Sequence, residues 1–170
     1  LGAEYTKEYD LGYNNNETLD FSPIKYLTSL KSLELIGFRG DNDLSFVSGL
    51  DNLTELNLAG TSAKNYDPLK NLQKLSKLDL YSSSLFTLDF LSGLQNLRSL
   101  SLNNSLFWNE LYNLNSIPSG IKELNIGNNG SFSNFVNSGI EKFSNLEKLK
   151  VESFDTDDQF NILLNFPQLK

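Results

Sequence analysis

The chain has 170 residues, 39% of them apolar, and a net charge of −7. That length suits one ordinary domain or one short array of repeats, and that acidity argues against nonspecific binding to nucleic acid or an anionic membrane. The absence of histidine and cysteine excludes Ser-His-Asp and Cys-His catalysis, disulfides and the usual zinc sites, and no apolar run approaches the roughly 18 residues a transmembrane helix needs.

Residues 1–14 read as an irregular first repeat, with a strand near Thr6 to Leu11. Terminal coils of a stacked array are commonly atypical because one face meets water. The spacing LxxLxL then recurs in LTSLKSLEL (Leu27 to Leu35), LDNLTELNL (Leu50 to Leu58), LQKLSKLDL (Leu72 to Leu80) and LQNLRSLSL (Leu94 to Leu102). Divergent copies follow in IKELNI (Ile121 to Ile126) and LEKLKV (Leu146 to Val151). First positions at Leu30, Leu53, Leu75, Leu97, Ile121 and Leu146 give steps of 23, 22, 22, 24 and 25. A period in this range is the sequence sign of a solenoid.

Within each copy the alternation predicts a short strand whose leucines point inward and whose intervening residues point outward. Turns rich in Gly, Asn and Ser follow, as in AGTSAKN and YSSSLFT. The return legs FSPIKYL, LSFVSGL, YDPLKNL and LDFLSGL carry apolar residues every third place, which suits a one-turn helix or 3₁₀ segment better than a strand. The fifth and sixth coils are longer, and the fifth brings Phe107, Trp108 and Tyr112 close together, read as packing of its convex leg. The opening LGAEY lacks a methionine, which fits a processed or excised chain. Leu169 stands 23 residues after Leu146, so residues 159–170 read as a further repeat cut short. The whole of 1–170 is then one domain of about seven repeats.

These residues resemble the leucine-rich repeat superfamily, and within it the 22-residue, internalin-like subtype. Pro23-Ile24 and Pro68-Leu69 fit its Pro-Leu step, while Phe46 and Phe90 replace that proline. The resemblance implies an α/β solenoid: a curved right-handed superhelix with a concave parallel sheet and short helical or 3₁₀ segments on the convex side. It also implies an asparagine after each strand that donates to carbonyls of the neighbouring coil. Here that column reads Asn14, Phe38, Thr61, Ser83, Ser105, Asn129, Phe154. Thr and Ser can partly substitute, and the two phenylalanines cannot.

Little in the sequence builds a reactive site. No phosphate loop is present, and the acid clusters Asp41/Asp43 and Asp155/Asp157/Asp158 lack the glycine and distal glutamate of a calcium loop. No cofactor or metal is expected. What remains is the outward row of the sheet. Glu34, Asn57, Asp79 and Ser101 lie between the inward leucines, Glu55 and Lys77 two places earlier, and Ile36, Ala59, Tyr81 and Asn103 two places later. An amphipathic centre of Ile36, Ala59 and Tyr81 ringed by Glu34, Glu55 and Asp79 has the anatomy of a protein interface. Residues 1–60 hold ten acids against four bases, so the partner is expected to be basic where it meets the first repeats. The function expected is noncatalytic protein recognition by a monomer, with no nucleic acid and no membrane insertion. Proline-leucine steps and the lack of cysteine point to an internalin-like adhesin or secreted surface protein. The alternatives are an intracellular adaptor of the F-box or phosphatase-regulatory kind, and, from another class, a carboxylate-dependent hydrolase.

Overall fold

A computed structural model describes residues 20–37, 44–105, 114–129, 139–152, 156 and 161–170. Among the described residues six strands follow one another: β1 (Ser32–Glu34), β2 (Glu55–Asn57), β3 (Lys77–Asp79), β4 (Ser99–Ser101), β5 (Glu123–Asn125) and β6 (Lys148–Lys150). They form one parallel sheet in sequence order. Between them run 3₁₀ legs: η1 (Ser22–Tyr26), η2 (Leu44–Val47), η3 (Asp67–Asn71), η4 (Asp89–Gly93), η5 (Leu114–Ser116) and η6 (Ile140–Lys142), with η7 (Leu163–Asn165) after β6. The expected first strand at residues 6–11, Phe38, Phe154, the aromatic group Phe107, Trp108 and Tyr112, and the two acid clusters lie outside the described residues.

The middle leucines of the strands stand in register, Leu33, Leu56, Leu78, Leu100, Leu124 and Leu149. From Leu53 to Ile126 the inward positions of every coil are buried. Each buried leucine contributes about 1.5–3 kcal/mol by leaving water. Backbone bonds extend the pairing beyond the three-residue strands: Thr54 N–H donates to Lys31 O at 2.8 Å, Leu58 to Asp79 O at 2.8 Å, and Gly60 to Tyr81 O at 2.6 Å. The same entry bond is made by Lys170 N–H to Glu147 O, at 3.1 Å.

Phenylalanine in the proline column has a packing reason. Phe46 stacks on Phe21 of the preceding coil at 5.8 Å between centroids, and Phe90 stacks on Tyr66 at 5.4 Å. Coils with proline at this place (Pro23, Pro68) begin their legs with an aromatic ring, and the coils after them supply the ring above it. Proline opens the 3₁₀ turn where its fixed φ suits it. Phenylalanine instead covers the ring below, so legs η1–η4 pack as two successive pairs.

After each of β1–β5 the chain turns through a left-handed residue, at Gly37, Gly60, Ser82, Asn104 and Asn128, with φ between 54° and 71°. The next buried side chain takes the place of the expected asparagine. Thr61 Oγ1 donates to Leu35 O at 3.4 Å, Ser83 Oγ to Leu58 O at 2.8 Å, Ser105 Oγ to Leu80 O, and Asn129 Nδ2 to Leu102 O at 2.6 Å. Hydroxyls therefore close the same ladder. Ser105 Oγ also accepts from Ser83 N–H, and Asn129 Oδ1 from Ser105 N–H.

Legs η3 and η4 approach closely, and the Gln73 amide bridges them by donating to Lys70 O at 2.7 Å and Gly93 O at 3.0 Å. A Cβ on Gly93 would stand 2.7 Å from Lys70 O, whereas one on the equivalent Gly49 would stand 4.0 Å from Lys25 O. Gly93→Ala should therefore lower stability by about 1–3 kcal/mol through overpacking. Gly49→Ala should be neutral or stabilise by up to about 1 kcal/mol. Urea unfolding of the two variants checks the contrast, and equal losses would refute the packing account.

A charged concave face as the candidate site

Parallel register places the outward residues in rows that cross the sheet. One row runs Ser32, Glu55, Lys77, Ser99, Glu123, Lys148, and the next runs Glu34, Asn57, Asp79, Ser101, Asn125, Lys150. Such side chains stand about 4.8 Å apart between strands, so each feels its neighbours in the row.

The first row pairs within itself. Lys77 Nζ lies 3.8 Å from Glu55, Lys148 Nζ lies 2.5 Å from Glu123, and Ser99 Oγ donates to the same glutamate at 3.2 Å. The hydrogen bond from Lys148 holds the Glu123 carboxyl below its usual range, and the same bond raises the Lys148 ammonium above its own. Glu123 therefore favours the paired arrangement above the usual glutamate range, and that contribution fades as pH falls through its lowered value. The lysine side of the pair is fully present below the usual lysine value and fades as pH rises through the raised one.

The second row divides its work. Asn57 Oδ1 accepts from Ala59 N–H at 3.0 Å, Asp79 Oδ1 from Tyr81 N–H at 2.8 Å, and Asn125 Oδ1 from Gly127 N–H at 3.2 Å. These are Asx turns that steer the chain out of the strand. Expected as recognition residues, Asn57 and Asp79 also shape the backbone. The signal in the sequence was the recurrence of Asn or Asp two places before the turn.

Ile36 and Tyr81 are exposed on the rim, at 37% and 48%, with Ala59 half-buried between them. Asn103 was expected in the same outward row but is buried at 8%, because Gly127 of the next coil lies against its amide. The face is a shallow trough of about 340 Å³ over β3–β6, continued by one of about 80 Å³ over β1–β3. Glu34, Glu55, Asn57, Lys77 and Asp79 line the smaller part, and Lys77, Asp79 and Ser101 line the larger. The larger part also takes in Ser99, Glu123, Asn125, Lys148 and Lys150, residues of the same rows that the expected site left out. Among the described residues no group of three acids converges on a metal position, and no helix is long and apolar enough to cross a membrane.

Asp79→Asn keeps the acceptor of the Asx turn and removes the charge, so stability should stay within about 0.5 kcal/mol. Asp79→Ala should cost about 0.5–1.5 kcal/mol. Chemical denaturation compares them, and equal losses would deny the turn a role. For the ion pair, NMR titration of the Glu123 side chain should move its midpoint upward in Lys148→Ala; an unmoved midpoint would show the contact is not formed.

No protein-family model and no curated protein matches the chain. Solved structures do. Internalin C2 of Listeria monocytogenes is 29% identical, with a TM-score of 0.68 over 86% of this chain and 62% of that one. A leucine-rich repeat protein of Leptospira interrogans is 19% identical, with a TM-score of 0.65 over 92% of this chain and 45% of its own. The plant peptide hormone receptor RGFR1, solved in complex with RGF2, is 16% identical, with a TM-score of 0.55 over 79% of this chain and 22% of the receptor. This chain thus spans about three fifths of the internalin and less of the other two. With the coils, the ladder and the internalin likeness together, the chain has the leucine-rich repeat fold, and its repeats are similar to those of internalins.

Proposed function

We propose that the chain is a noncatalytic recognition module that binds a protein partner on the concave face of its sheet, centred on β1–β3, within an internalin-like adhesin or secreted surface protein. The observation that carries this reading is the register. It lines up Glu34, Glu55 and Asp79 beside an exposed apolar rim of Ile36 and Tyr81, on a surface that no other described element covers. An aromatic side chain next to charges is a common composition for the energetic centre of an interface. Likeness to internalin C2, the Pro-Leu steps at Pro23 and Pro68 and the lack of cysteine support the surface setting. The partner-bound plant receptor supports the use of this kind of fold for recognition.

Acids outnumber bases over β1–β3, with Glu34, Glu55 and Asp79 against Lys77, so the partner presents basic groups there. The monomer is the binding unit in this reading. Tyr81→Ala combined with Glu34→Lys and Asp79→Lys tests it in pull-downs from candidate host extracts, with captured protein identified by mass spectrometry. The native chain should retain a partner that the triple variant loses, with affinity reduced at least about 30-fold, as for a hot-spot loss of 2 kcal/mol or more. Equal capture by the correctly folded variant would place the site elsewhere.

A further inference from the structure

The outward charges of the two rows are not equivalent. In the first row the charges cancel locally, through Glu55 with Lys77 and Glu123 with Lys148. In the second they do not. Glu34 on β1 and Lys150 on β6 form no ion pair with another described residue. Asp79 on β3 gives one oxygen to the Tyr81 amide, an uncharged partner that leaves its negative charge standing. Ser101 and Asn125, between Asp79 and Lys150, are neutral. Glu152, in the rim row beyond β6, lies at the Asn128 amide, likewise an uncharged partner, and forms no ion pair with Lys150. Within the second row the unpaired charges therefore change sign, negative at Glu34 and Asp79 and positive at Lys150. Five strand spacings of about 4.8 Å separate its ends by about 24 Å.

We infer that this face takes a segment of a partner protein that crosses the strands and is itself polarised, with its basic end over Glu34 and Asp79 and its acidic end over Lys150. The inference rests on the concave face being the binding face, and extends that site from β1–β3 to the whole sheet. Charge complementarity picks the occupant. A uniformly basic segment would meet Lys150, and a uniformly acidic one would meet Glu34 and Asp79, each with like charges opposed. A polarised segment satisfies both ends and can lie in only one direction, so the row fixes orientation as well as partner. A second copy of the chain could match the polarity head to tail, but two concave faces cannot touch along their length.

Two synthetic 12-residue peptides of identical composition serve as probes, one with lysines at its N-terminal end and glutamates at its C-terminal end, the other with the same charges interleaved. The segregated peptide should bind the native chain about tenfold more tightly, and its advantage should shrink as salt rises. Glu34→Lys with Asp79→Lys, or Lys150→Glu alone, should remove the advantage, while all three together should restore it with the peptide reversed. A nitroxide on the peptide N-terminus reads the direction by NMR: it should broaden amides near Glu34 in the native chain and near Lys150 in the triple variant. Equal binding of the two peptides, no binding by either, or broadening spread evenly along the sheet would overturn the inference. Broadening confined to residues off the sheet would sink the concave-face reading itself. A dimer in sedimentation that Lys150→Glu dissociates would show that a second copy is the occupant.

Discussion

A three-residue strand has too few hydrogen bonds and too little apolar surface to exist alone, and everything in this molecule follows from that. Each strand persists because the coils on either side lend it partners, through N–H donations such as Thr54 to Lys31 and Leu58 to Asp79. Those bonds hold only if equivalent residues lie level with one another. Stacking in register is therefore the governing constraint, and the leucine interior, the turn ladder and the charged rows are its consequences. A slip of one residue would turn every inward leucine to solvent.

Register also explains how the array tolerates worn positions. The turn after each strand must give its buried carbonyls a donor from the next coil, because an unpartnered buried carbonyl costs about 1–3 kcal/mol. Asparagine is one solution, and Thr61, Ser83 and Ser105 show that a hydroxyl at the same height is another. In the first four legs the same logic pairs Phe21 with Phe46 and Tyr66 with Phe90, each ring lying on that of the coil before it.

The functional face is what the same stacking leaves outside. Because the sheet is parallel and level, a residue's neighbours on that face come from the preceding and following coils, 22 to 25 residues away in sequence. Charges placed one per coil thus become a line of charges about one strand spacing apart. Some of them annul their neighbours, as Lys148 does for Glu123, and others, Glu34 and Lys150, form no ion pair with a described residue. Recognition on such a surface depends on the pattern along the row more than on any one residue.

The sequence by itself determined the period, the inward leucines, the short helical character of the return legs and the membership of each outward row. These are local matters of spacing, and spacing is written in the chain. Tertiary structure decided the rest, because it depended on contacts between residues a coil or more apart. Asn103 looked as outward as Tyr81 until Gly127 of the next coil lay against it. Phe46 and Phe90 looked like departures from a proline pattern until their rings were seen lying on Phe21 and Tyr66. Asn57 and Asp79 looked like surface residues alone until their side chains were found to hold the turns as well. A one-dimensional pattern states which residues face the same way; only the stacked coils show how close each comes to the next, and that distance decides which side chains remain available to a partner.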